Sequence, residues 1–106
     1  MKIEFDTKKY VKDLIKSKSY FHTFLNRKNL SVGVLRLAPG QEDTQDPHTN
    51  DEVYYVVKGD GFLKVGDKNY AVSAGMSYFV AKNIEHHFYR NTEDLVAVYF
   101  FSGPDS

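Results

Sequence analysis

Between Gly40 and Gly59 the chain reads GQEDTQDPHTNDEVYYVVKG, and its polar half carries groups with the types and spacing of metal ligands. Asp46, His48 and Glu52 stand at i, i+2 and i+6. In an extended strand those positions share one face, because side chains alternate with a period of two. Carboxylates and an imidazole converging on one point suit a divalent cation. Residues 53–57, which follow at once, are apolar and read as a buried strand, so the polar groups stand at its entrance.

The other histidines supply the rest of such a site. His22 lies alone between Phe21 and Thr23 and reads as structural. His86 and His87 are adjacent at the start of a later apolar run, and neighbours in a strand face opposite sides, so only one of them can point inward. A D-x-H-x-x-x-E run joined by one distant histidine is far more specific to metal binding than a lone histidine. The plainer alternative is a hydrogen-bonded polar cluster without metal.

These groups need a scaffold, and the chain supplies short strands. Residues 1–5 read as a short strand. Asp6 then suits the N-cap of a helix over residues 7–16, whose Tyr10, Val11, Leu14 and Ile15 form one apolar stripe. Lysines around it (Lys8, Lys9, Lys12, Lys16, Lys18) are a solvated face balanced by Glu4, Asp6 and Asp13. From residue 19 the period becomes two. Strands are predicted at 20–26, 30–38, 44–49, 52–58, 61–65, 68–72, 76–80, 86–89 and 95–102, separated by Pro39-Gly40, Gly59-Asp60-Gly61, Gly66-Asp67, Ala74-Gly75 and similar turns.

So many short strands must pair into two sheets or close on themselves to hide their edges. The expectation is an all-β, antiparallel jelly-roll barrel with a short N-terminal helix, its interior filled by the 8 Phe and 8 Tyr.

Composition limits the partners. A chain of 106 residues is a single domain, 1–106, with one core. Its 14 Lys and Arg equal its 14 Asp and Glu, so no bulk field attracts nucleic acid or an anionic membrane, and a small-molecule ligand or substrate is expected. Without cysteine there are no disulfides or thiolate ligands. The opening MKIEFDTKKY has no apolar signal segment, and no apolar run is long enough to span a bilayer, so a cytoplasmic location is expected and the sequon at Asn29 is incidental.

At these residues the chain resembles a small single-domain cupin. The first cupin motif, G-x5-H-x-H-x3,4-E-x6-G, is matched at every interval by Gly40, Asp46, His48, Glu52 and Gly59, with Asp46 in place of the first histidine. The second is looser: Gly66 opens it, the proline is lost, and Ala81-Lys82-Asn83-Ile84-Glu85-His86 stands for P-x-G-x-x-H. Counting from that turn selects His86, whereas counting back from Asn91 selects His87; the turn sets the strand start, so His86 is preferred. The resemblance spans roughly residues 32–101.

It implies that His48, Glu52 and His86 bind a divalent metal, with Asp46 as a fourth ligand or as an acceptor orienting His48. Two imidazoles with a carboxylate are the ligand set of non-haem iron, and a second carboxylate favours Fe²⁺ or Mn²⁺, with Ni²⁺ or Zn²⁺ as alternatives. A mononuclear dioxygenase is the leading expectation; an isomerase or decarboxylase, or a non-enzymatic ligand-binding or sensor cupin, are the others. Parity adds Tyr54, Val56, Phe88 and Arg90 as pocket candidates. Arg36 is left between a ligand-capturing cation at the barrel mouth and a solvent-facing partner of Glu42 or Asp43. Exposed sheet edges lead to the expectation of a homodimer.

Overall fold

The computed structural model describes residues 1–105. Its elements are helix α1 (Thr7–Leu14) and strands β1 (Phe21–Asn26), β2 (Ser31–Leu37), β3 (Glu52–Lys58), β4 (Phe62–Val65), β5 (Lys68–Ala71), β6 (Ser77–Val80), β7 (His86–Tyr89) and β8 (Leu95–Phe101). Asp6 caps α1 by accepting from the Lys9 N–H. The helix ends two residues sooner than its apolar stripe suggests, because the Ile15 and Lys16 N–H groups bond three residues back and tighten the last turn. Leu14 is the one buried residue of α1, which packs over β2 and β1.

Two expected strands are absent. Residues 1–5 have no regular structure; Phe5 instead packs its ring against Phe24. Residues 44–49 are irregular as well. Pro47 offers no N–H to a ladder, and the Gln45 N–H is taken by the Asp43 carboxylate, so local bonds replace strand pairing there.

The eight strands form two antiparallel sheets in the orders β1-β2-β8-β3-β6 and β5-β4-β7. This is the jelly-roll architecture, all-β apart from α1. Alternation decides what each sheet hides. On β3, Glu52, Tyr54 and Val56 point inward while Val53, Tyr55 and Val57 point out; on β7, His86 and Phe88 point inward. The core between the sheets is built from residues such as Leu35, Leu63, Val80, Leu95 and Ala97, together with the aromatic rings of Tyr54, Phe88, Tyr99 and Phe101. No helix among the described residues is long and apolar enough to cross a membrane.

Candidate metal centre

Glu52 is the first residue of β3 and His86 the first of β7, so the facing sheets deliver one group each to the same end of the core. His48 arrives from the loop before β3. One ligand atom from each of the three lies within 4.8 Å of the others. The His48 ring rests on Phe101, 4.4 Å between centroids, and its backbone carbonyl accepts from Asn83 N–H at 2.6 Å. Asn83 takes φ 65° where the cupin pattern has glycine. Asparagine tolerates that left-handed geometry, so the turn that starts β7 survives the substitution. His87 lies on the other face of β7, half-exposed beside Tyr89.

The three groups create an electrostatic deficit. His86 Nδ1 donates to the Ile84 carbonyl at 2.9 Å, which leaves Nε2 as an acceptor in the neutral ring. Nε2 lies 3.1 Å from the Tyr54 hydroxyl and 3.1 Å from Glu52 Oε1. The carboxylate is only 1% exposed, yet neither of its oxygens has a hydrogen-bond donor in proper geometry. A buried carboxylate facing an imidazole lone pair without a donor is costly, and a cation between them removes the cost. The donor set fits a divalent metal on that ground. Burial opposes charging His86, but the Glu52 carboxylate, the Ile84 carbonyl and the more distant Asp43 together hold its pKa above the ordinary imidazole value.

Spacing gave no hint of two neighbours that support the site. Asp43 is buried and accepts from the Phe88 N–H at 2.9 Å, the Tyr20 hydroxyl at 3.0 Å and the Gln45 side-chain amide at 3.2 Å. That last bond turns the Gln45 carbonyl oxygen toward His48 Nε2 and the Tyr54 hydroxyl, both at 3.3 Å. Asp43 therefore clamps the ligand loop to β7 and orients one wall of the site. Burial, with Glu52 and Asp43 adding to it, pushes the Tyr54 phenol well above its ordinary pKa and keeps it protonated.

The remaining expected residues fall into place around this cluster. Asp46 is exposed and stands outside the three-ligand group; with residues 44–49 irregular, strand parity no longer aims it at Glu52. Tyr54 touches the site through its hydroxyl. Phe88 packs edge-on against Tyr54 at 4.8 Å and, like Val56, belongs to the core behind it. Arg90 follows the end of β7 with φ 58°, which breaks the alternation, and its guanidinium lies over Tyr89 on the outside. Arg36 pairs with Asp94 at 2.7 Å on the outer face near α1, so neither Glu42 nor Asp43 is its partner. Beside His48 a cavity of about 290 Å³ opens between the ligand loop, β1, β2 and β8, with Asp46 on its wall.

The cupin domain family pattern matches residues 33–103. The chain belongs to the cupins. An uncharacterized protein of Streptomyces coelicolor is 40% identical over 83 residues, 78% of this chain and 79% of that one. Among solved structures, a Klebsiella pneumoniae protein with a double-stranded beta-helix domain superposes with a TM-score of 0.81 at 17% identity, covering 99% of this chain and 93% of that one. The DMSP lyase DddQ of Ruegeria pomeroyi superposes with a TM-score of 0.71 at 14% identity, covering 78% of this chain and 46% of the lyase. Both structural likenesses are of fold alone. Fold does not set chemistry, which has to be argued from the site.

Proposed function

We propose that His48, Glu52 and His86 hold one divalent metal ion, and that this cupin is a mononuclear metal enzyme acting on a small molecule in the adjoining cavity. The observation that carries the reading is the buried Glu52 carboxylate, both oxygens without donors, set 3.1 Å from an imidazole nitrogen. Two imidazoles and one carboxylate favour Fe²⁺ or Mn²⁺ over a closed structural Zn²⁺ site, with Ni²⁺ and Zn²⁺ the next choices. When bound, such a metal supplies Lewis-acid or redox chemistry at its remaining positions. The chain's own residues do the rest. Ile84 and Gln45 orient the two rings, Phe101 packs against His48, and the Tyr54 hydroxyl holds a proton beside His86.

The ligand set supports a dioxygenase. A redox-neutral isomerase or decarboxylase is the second reading, favoured by the buried, protonated Tyr54 hydroxyl, a hydrogen-bond donor next to the metal ligands. Elemental analysis of untagged protein, beside His48→Ala and Glu52→Ala, tests the metal: near-stoichiometric Fe or Mn lost in both variants supports it. No bound metal, together with no thermal shift on adding Fe²⁺, Mn²⁺, Ni²⁺ or Zn²⁺, overturns it. Oxygen uptake with a panel of thiols, diketones and flavonoids separates the dioxygenase from the redox-neutral enzyme and from a sensor that binds without turnover.

A further inference from the structure

The wall of the cavity beside His48 has a chemistry that metal ligation does not require. Four rings line it (Tyr20, Phe21, Tyr99 and Phe101), together with the carboxylates of Asp46 and Asp105. Among the described residues no Lys or Arg reaches this wall. Asp105 is fixed there: its carboxylate accepts from the Thr23 hydroxyl, and its N–H is bonded to the side chains of Asn26 and Ser31. The Thr23 hydroxyl also meets the Tyr99 hydroxyl at 2.6 Å. Phe21, 44% exposed, leaves a large apolar ring uncovered at the cavity mouth.

Burial pushes the Tyr20 phenol up to about 12 with help from Asp43, and burial pushes Tyr99 up with help from Asp105 and Glu52.

We infer that this cavity binds a small organic cation of the alkylammonium class. The inference deepens the proposed function, naming the substrate class of the same site, and rests on it. Charge points the same way: Asp46 and Asp105 on the wall and the buried Asp43 behind Tyr20 bring three negative charges, more than the single positive charge that a divalent metal on Glu52 would leave. Ring faces attract a weakly hydrated cation by about 0.5–2 kcal/mol, the larger figure where water is excluded. An anion would meet two carboxylates with no basic side chain to offset them. A neutral ligand would use the rings but gain nothing from the carboxylates beside them.

The test compares choline with its uncharged isostere 3,3-dimethylbutan-1-ol by calorimetry, on metal-free and on Zn²⁺-loaded protein. Choline is expected to bind at least about fivefold more tightly than the isostere in one or both forms. Asp105→Asn and Phe21→Leu should each reduce that preference. Asp46→Asn, on an exposed loop where folding is not at stake, should reduce it as well. Equal affinities, a preference for the isostere, or no choline binding in either form overturns the inference. Metal titrations on the same samples keep the two ideas apart: metal binding without a choline preference sinks only the cation site, and a choline preference without binding of Fe²⁺, Mn²⁺, Ni²⁺ or Zn²⁺ sinks only the metal centre.

Discussion

At Glu52 the sequence and the physics make opposite demands. A carboxylate at a 1%-exposed position with both oxygens undonated destabilises a metal-free barrel, yet it is the group that would bind a cation most strongly. At a pH above the folded pKa of His86, Glu52→Gln is therefore expected to leave the metal-free protein as stable as the parent, or more stable by about 1–3 kcal/mol, while abolishing the metal-induced rise in Tm. Paired melts with and without metal measure both effects; a strongly destabilised metal-free variant would argue that Glu52 is held by bonds within the protein. His86 gives a second prediction. Its folded pKa is raised above 6.5, so the stability it contributes to the metal-free protein is full below pH 6.5 and lost as pH rises through the folded value. Metal and proton compete for the same ring, so metal affinity should climb over that same interval. Melting and metal titration along a pH series check this, and Glu52→Gln should flatten the first trend. His48 and Glu52 were legible in the sequence because ligand types at a fixed interval survive any local backbone path that ends at the same strand. Asp43 was not, because its role depends on meeting the Phe88 N–H, 45 residues away, and no spacing rule encodes that contact.

Elements show the same contrast between what a pattern carries and what packing decides. Seven of the nine strands expected after residue 19 match β2 to β8 within one or two residues, since burial of one face imposes alternation. β1 lies within its expected span as well. The strand expected at 44–49 fails because its polar groups find closer partners than a neighbouring strand. Asp46, placed inward by parity, fails with it. The two glycines that bound the first cupin motif look equivalent in sequence and are not. Gly40 has φ 78° and nothing within 4 Å of an added Cβ, whereas Gly59 has φ 110° and a Cβ there would lie 2.6 Å from the Asp94 carbonyl oxygen and 2.7 Å from Leu95 Cα. Gly40→Ala should cost about 1 kcal/mol for the left-handed backbone alone. Gly59→Ala should cost about 3 kcal/mol or more, because the end of β3 must separate from the start of β8. Chemical denaturation of the two variants ranks them; equal losses would mean that the β3 end relaxes freely.

On the scale of the whole molecule, the sheets leave one face unfinished. α1 covers β2, but the outer face of the five-stranded sheet beyond it keeps a row of apolar side chains in register: Val53 pairs with Phe100 on one side and with Phe79 on the other. Phe79 is 63% exposed on the edge strand β6, and Tyr55 and Val57 extend the patch along β3. A contiguous row of exposed apolar side chains is the kind of surface that another protein covers. We propose that a second copy of the chain covers it, the two sheets meeting face to face about a twofold axis, which lets one patch serve as both halves of the interface. Glu52 and Tyr54 of the candidate metal centre point to the opposite, inner side of β3, so assembly and site are separable. Phe79→Glu should convert the dimer to a monomer in size-exclusion chromatography with light scattering while leaving metal stoichiometry unchanged. A parent protein that is already monomeric at micromolar concentration would dispose of the dimer, and the apolar row would then need a different partner.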